Sequence, residues 1–341
     1  MTVPSWRELR STVDSIVAVQ QRDGAIPWFP GGELDPWDHI EAAMALDVGG
    51  LHANARHAYR WLLAEQRRGG WWPAKYREGA PVCDFGETHH SAYLAVGLWH
   101  HFLATDDEAF LVELWPTVRA ATDFVVRHQE TSGVVPWAVH PETGPDPVAL
   151  LTGSASTYHG LRCASAIAEH LGHAQPDWEL AAADLQRAIA ERPDLFADKG
   201  RYSMDWYYPV LGGAVRGKNA ADRLADRWDE FVVPGFGARC VADRPWVTGA
   251  ETCELALALH ANGDPDAAAH LIADMQHLRD DDGSYWTGLV FDEGVRWPVE
   301  RTTWTAAAVV LAVDAVNGEH VRSTIFSDPQ AQRPSQVPYV A

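Results

Sequence analysis

Six stretches of this chain open on polar residues and run on as helices that are small and apolar on nearly every side. They start near residues 38, 87, 154, 205, 251 and 300, at steps of 49, 67, 51, 46 and 49. A helix that is apolar all round must be buried among other elements. Between them lie amphipathic segments, such as 108–128, where Leu111, Leu114, Trp115, Val118, Thr122 and Val125 recur at helical spacing with charges opposite. One buried and one amphipathic helix, repeated six times, predicts an array of helical hairpins. Closing that array gives an all-α double ring, an (α/α)6 toroid, with the buried helices inside and the amphipathic ones outside.

Loop lengths give the ring a direction. Connections from buried to amphipathic helix are short, as at Gly49-Gly50 and Asn262-Gly263, and the return connections are long, as in 129–151 and 278–299. Helices that alternate up and down put all the long loops on one rim, where function usually sits on a rigid scaffold. Eight of the 16 tryptophans fall in these loops: Trp28, Trp37, Trp71, Trp72, Trp137, Trp246, Trp286 and Trp297. One mouth of the ring is therefore expected to be aromatic and lined by six polar helix starts. The toroid is expected to span 1–318, followed by a loosely held tail, 319–341, rich in Pro, Gln and Ser.

Composition removes several function classes. The net charge of −20, with only 27 Lys plus Arg, argues against nucleic-acid or anionic-membrane partners, which require a basic surface. No run of about 18 apolar residues predicts a membrane span. The N-terminus lacks a signal-peptide core, and the four cysteines, Cys83, Cys163, Cys240 and Cys253, show no CxxC spacing. A cytoplasmic protein with reduced core thiols is expected. Composition leaves the oligomeric state open.

Glutamine, then glycine, then an aromatic recurs as Gln21-Gly24-Trp28, Gln66-Gly70-Trp71, Gln129-Gly133-Trp137 and Gln276-Gly283-Trp286. This resembles the QW motif of the terpenoid cyclase and protein prenyltransferase toroids. Asp35-Pro-Trp-Asp-His and Ser203-Met-Asp-Trp-Tyr-Tyr-Pro-Val-Leu-Gly-Gly resemble bacterial prenyltransferase-like proteins. The segment from Thr105 through Trp115-Pro-Thr-Val to Phe124 looks like the hairpins of six-hairpin glycosidases. Protein prenyltransferases hold zinc with an Asp, a Cys and a His. The last inner helix here begins Glu300, Thr302, Thr303 with no His, so neither metal nor cofactor is expected. The Asp-x-Asp-Asp acid of class II cyclases is only approximated by Asp35-Pro-Trp-Asp38.

The predicted mouth is instead rich in carboxylates. Glycoside hydrolysis needs two, one protonated and one ionised, and crowding in a desolvated site pushes their pKa values apart. The resemblance to six-hairpin glycosidases puts one catalytic carboxylate just before the last inner helix, where Glu300 stands. Glu300 is thus the expected base, Glu251 the acid and Glu87 a third candidate. Asp38, His39, Glu41, His89, Tyr158, Asp205, Tyr207, Glu254 and Trp304 are expected to bind a saccharide or glycoconjugate. Two other readings stand beside this one: an isoprenoid-handling enzyme of the cyclase or prenyltransferase kind, and a non-catalytic carbohydrate-binding toroid.

Overall fold

The structure is a computed structural model that describes residues 2–318 and 325–327. Thirteen α-helices lie among the described residues: α1 Trp6–Val19, α2 Pro36–Val48, α3 His52–Glu65, α4 Thr88–Thr105, α5 Glu108–Arg127, α6 Leu151–His170, α7 Pro176–Glu191, α8 Ser203–Leu211, α9 Gly217–Asp226, α10 Trp228–Phe231, α11 Gly249–Ala261, α12 Pro265–Asp274 and α13 Thr303–Asn317. Helices α2, α4, α6, α8, α11 and α13 pack side by side in that order, and α13 returns to α2. Each inner helix packs an outer one: α3, α5, α7, α9, α12 and, for α13, α1 from the start of the chain. This is the (α/α)6 toroid read from the sequence.

The inner ring is tight because its helices are built from small residues. In α2, Ala42, Ala43, Met44, Ala45 and Leu46 are all fully buried. Gly160 on α6 presses so close to α4 that a Cβ there would stand 2.5 Å from the Ala92 carbonyl oxygen. Ring closure is pinned by hydrogen bonds from the start of α13: Thr303 donates its N–H to Trp28 O at 2.8 Å and its hydroxyl to Pro27 O at 3.0 Å.

The glutamine–glycine motif staples the outer ring. Gly24, Gly70, Gly133 and Gly283 all have positive φ and abut the next outer helix, at His57, Ala120, Asp184 and Ser11. The Gln66 amide donates to Thr117 O at 2.9 Å, and the Gln129 amide to Ala181 O at 2.9 Å. In the first copy the bridging side chain is Gln20 rather than Gln21, donating to Asn54 O at 3.0 Å. In the last, Gln276 donates within its own helix, to Ile272 O.

The long loops share one rim, as expected, and carry short strands: β1 Glu33–Leu34, β2 Tyr76–Arg77, β3 Ala80–Pro81, β4 Gly86–Glu87, β5 Ala138–His140, β6 Gly144–Pro145, β7 Val232–Val233, β8 Gly237–Arg239, β9 Trp246–Thr248, β10 Gly288–Val290 and β11 Val295–Arg296. They form antiparallel sheets ordered β1-β2-β3, β4-β5-β6 and β11-β10-β9-β8-β7. Each sheet joins loops of neighbouring repeats and so holds the rim rigid. No described helix is long and apolar enough to cross a membrane.

Helix α13 ends at Gly318, in the left-handed region that favours glycine as a cap. Most of the tail expected to be loose, 319–324 and 328–341, lies outside the described residues. Residues 325–327 are docked: Ile325 and Phe326 are buried, His159 bonds to Ile325 O at 3.1 Å, and Arg216 donates to Ser327 O at 3.1 Å. All four cysteines are free. Cys163 and Cys253 are core thiols, but Cys83 and Cys240 are only half-buried.

Candidate active site

The inner helix starts meet at the mouth of the ring in a cluster of buried acids and aromatic rings, termed the pit. Residues three apart on a helix share a face and differ in height by about 4.5 Å, one turn. Asp38 and Glu41 on α2 are such a pair, and so are Glu251 and Glu254 on α11. The pit therefore carries carboxylates at two depths, Asp38 and Glu251 at the mouth and Glu41 and Glu254 on the floor. All four are at least nine-tenths buried. Trp37 crosses the ring: its indole lies 5.6 Å from the rings of His89 and Tyr93 on α4, and 5.6 Å from Tyr208 on α8, the helix opposite. Trp304 on α13 closes the remaining side, 6.4 Å from Trp37.

On the floor, Tyr93 donates its hydroxyl to Glu41 at 2.8 Å, and Tyr207 donates to Glu254. One oxygen of each carboxylate, Glu41 Oε2 and Glu254 Oε1, is buried without a hydrogen-bond partner. The Trp304 indole faces both carboxylates, although its N–H forms no well-aligned bond. Burial and incomplete hydrogen bonding favour the neutral acids, and the nearby Asp35 adds to this at Glu41. Burial foremost pushes Glu41 up to about 7. Burial, then the Glu41 charge, raises Glu254 well above the usual carboxylate range.

At the mouth, burial raises Asp38 well above that range, and Asp35, Glu41 and Glu254 add to the effect. Asp35 is the α2 N-cap. It accepts from the Asp38 N–H at 2.9 Å and the Trp28 indole N–H at 2.8 Å, and its charge disfavours ionisation of the Asp38 carboxyl. Glu251 lies beside Glu254, Tyr207 and the Cys240 thiol.

A second cluster borders the first. Glu87, His89 and His90 each bring one possible ligand atom within 4.8 Å of the others, the one such group of three among the described residues. His89 Nε2 is 3.5 Å and His90 Nε2 3.8 Å from Glu87, and His90 is 3.9 Å from Asp35. Burial lowers both imidazoles, His90 to about 3, and raises Glu87 to about 7. All three groups are therefore mainly or partly neutral near pH 7. They can donate and accept toward the hydroxyls of a neutral ligand, and the same donor set could ligate a cation.

The remaining residues singled out in the sequence lie apart from the pit. His39 packs between α2 and α3, with Nδ1 accepting from the Ile26 N–H at 3.1 Å and Nε2 bonded to Ala58 O at 3.0 Å. It follows Asp38 by one residue and so points about 100° away, which turns it out of the pit. Tyr158 lines a separate hollow of about 490 Å³ between α6 and α7, where Arg162 reaches its hydroxyl at 3.3 Å. Asp205 accepts the Thr152 hydroxyl at 2.6 Å and lines another hollow, with Phe196 and Arg223. Glu300 sits on the rim loop two residues before the α13 N-cap, half-buried, and burial alone raises it. Burial leads the shifts of both Asp38 and Glu254, followed by the charges of Asp35 and Glu41 respectively, whereas burial is the one influence on Glu300. Its neighbour Arg301 pairs with Asp280 and Asp282.

Sequence reasoning placed Trp37 and Tyr208 at the mouth but passed over Asp35 and Tyr93 as site residues. The signal for Asp35 was present in the Asp-x-x-Asp spacing at the start of α2. Tyr93 depends on helix register between neighbouring repeats, which the chain alone does not display.

No family model matches the chain. A search of solved structures finds a wild-type glycosidase with a TM-score of 0.70 at 15% identity, covering 96% of this chain and 97% of the other. A D-mannose isomerase aligns with a TM-score of 0.67 at 11% identity, over 90% and 96% of the two chains. These likenesses establish the fold. Among curated proteins, an MMP endo-(1,4)-3-O-methyl-alpha-D-mannosidase from Mycolicibacterium hassiacum is 53% identical over 319 residues, 94% of this chain and 89% of that protein. With this relative and an acidic, aromatic pit in an (α/α)6 toroid, the chain is a glycoside hydrolase. It belongs to the family of the Mycolicibacterium hassiacum endo-mannosidase. The comparisons support the glycosidase branch of the expectation and lend nothing to the isoprenoid branch.

Proposed function

We propose that this hydrolase cleaves internal α-(1,4) bonds in a chain of 3-O-methylated mannose units, the linkage and sugar named for its 53% identical relative. The observation that carries the reading is the pairing of two buried carboxyls at inner-helix starts, Asp38 on α2, where burial and the Asp35 charge favour the neutral acid, and Glu251 on α11. Asp38 serves as the acid: its proton passes to the glycosidic oxygen as the bond to the anomeric carbon breaks. Glu251 is the carboxylate partner. It either deprotonates an attacking water or attacks the anomeric carbon itself, and the anomer first released tells these apart. Glu87 and Glu300 flank this pair on the rim, with His89 and His90 available to bind sugar hydroxyls. Trp37, Trp304, Tyr207 and Tyr208 supply apolar faces. Four unbridged cysteines suit a reducing, cytoplasmic setting.

The test is digestion of α-(1,4)-linked 3-O-methylmannose oligosaccharides, with product lengths read by mass spectrometry. Wild type should release fragments from the interior of the chain. Asp38→Asn and Glu251→Gln should each lower kcat by about a hundredfold or more, the scale of a lost acid or base. Glu300→Gln serves as the comparison: if it abolishes turnover while Glu251→Gln does not, the sequence-based choice of Glu300 as base regains its place. No cleavage of any mannoside by wild type would sink the substrate class.

A further inference from the structure

We propose that Trp297, with Val295 and Val299, forms a stacking platform for sugar units that lie outside the pit; this rests on the endo-acting reading above. Val295, Trp297 and Val299 are 49%, 53% and 80% exposed, and they are three of the nine most exposed large apolar side chains of the described chain. Val82, Val148 and Tyr202, also among the nine, lie on other long loops of the same rim. Large exposed apolar patches on a folded surface commonly serve binding, and an exposed indole between two exposed valines offers such a surface.

The local backbone explains the arrangement. Alternate residues of a strand share a face, so Val295 and Trp297 align at the end of β11 while Arg296 points under them, and Val299 follows in the next bend. Arg296 is tied down there, donating to His277 O. Strand β11 is the edge of the five-stranded rim sheet. The Trp297 ring is held edge-on by Trp246 at 4.7 Å, and the Trp246 indole donates to Trp297 O at 2.7 Å. Trp246 in turn lies so close to Gly288 that a Cβ there would be 2.4 Å from its Nε1. The exposed indole is thus fixed in place on a rigid sheet, which spares a ligand the entropy of ordering it.

Position and chemistry point to one occupant. From Trp297 the chain passes through Glu300 to the Thr302 cap and Trp304, so the platform stands on the rim loop that leads into the site. An enzyme that cuts inside a chain must hold units beyond those being cleaved. A methyl ether replaces a hydroxyl donor with an apolar group, so a 3-O-methylated sugar suits a patch of two valines and an indole better than an unmodified one.

The experiment compares wild type, Trp297→Ala and Trp297→Phe on a short 3-O-methylmannose oligosaccharide that fills only the pit and on a long chain. With the alanine variant, KM for the long chain should rise about tenfold, the scale of one lost aromatic anchor, with kcat unchanged. Its kinetics on the short substrate should match wild type, and phenylalanine should restore most of the long-chain affinity. An equal rise on both lengths, or none on either, overturns the platform while leaving the hydrolase reading intact. A variant that changes only from dimer to monomer by light scattering, with unaltered kinetics, assigns the patch to self-association and also overturns it. Inactivity of wild type on both lengths overturns the functional reading, and the platform with it.

Discussion

Replacing Glu41 by glutamine removes one titrating proton from the floor of the pit while keeping the shape of the neutral acid. In the native protein burial holds this carboxyl near 7, against 4.5 for an exposed glutamate. The folded state then binds the proton more tightly than the unfolded chain. The sign follows: this contribution to stability is fully present below about pH 4.5 and is lost as pH rises through about 7. At about 1.36 kcal/mol per pH unit, the loss amounts to about 3 kcal/mol. Glu87 is also raised to about 7, but it is common to both proteins and cancels in the comparison. Urea unfolding at 25 °C, followed by tryptophan fluorescence at about pH 4.5 and about pH 8, measures the difference. Wild type should lose about 3 kcal/mol more than Glu41→Gln between the two conditions, a midpoint shift near 1 M for a slope of roughly 3 kcal/mol/M. Parallel stability curves, agreeing within about 0.5 kcal/mol, would show that Glu41 titrates as it does in water. The picture of a desolvated, proton-retaining floor would then be refuted.

Other outcomes follow from the same geometry. Gly70→Ala puts a Cβ 1.9 Å from the Ala120 carbonyl oxygen at a φ of +95°, and should cost about 3 kcal/mol or more, seen as a lower Tm. Asp47 accepts from the buried His101 at 2.8 Å and from His52 at 2.9 Å, so Asp47→Ala should destabilise by about 3–5 kcal/mol in urea melts. Tyr207→Phe strips Glu254 of its donor and should cost about 1–3 kcal/mol. If Asp38 is the acid, kcat should fall on the alkaline side as that proton is lost, and in Asp38→Asn this limb should vanish from the pH–rate profile.

The architecture was legible because it rests on periodicity. Six buried helices with polar starts, set against long and short loops that alternate, leave few alternatives to a closed double ring. The depth and orientation of side chains were less legible. Glu41 and Glu254 read as mouth acids because they stand at polar helix starts, and in the structure each lies one helical turn beyond another acid. His39 and Tyr158 read the same way, yet a step of about 100° turns the first toward α3, and the second faces the hollow beside α7. Glu300 precedes its helix as the sequence suggests, half-buried on the loop that carries it. The Gln–Gly–aromatic repeats, which suggested isoprenoid chemistry by resemblance, hold one outer helix to the next. Such a motif reports how a toroid is stapled and says nothing of its cargo.

The closure of the ring has a temporal side. Five of the six hairpins join helices that are neighbours in sequence, but the sixth pairs α13 with α1 across nearly the whole chain. During synthesis α1 can settle its Leu9, Val13 and Ile16 face partly on α2, which follows within a few dozen residues. Its other partner emerges about 300 residues later, after roughly 15–60 s at ribosomal speed. Until then one side of α1 and the far edge of α11 remain uncovered, and the pit lacks its Trp304 wall. Completion of the site and protection from aggregation thus arrive together, with α13.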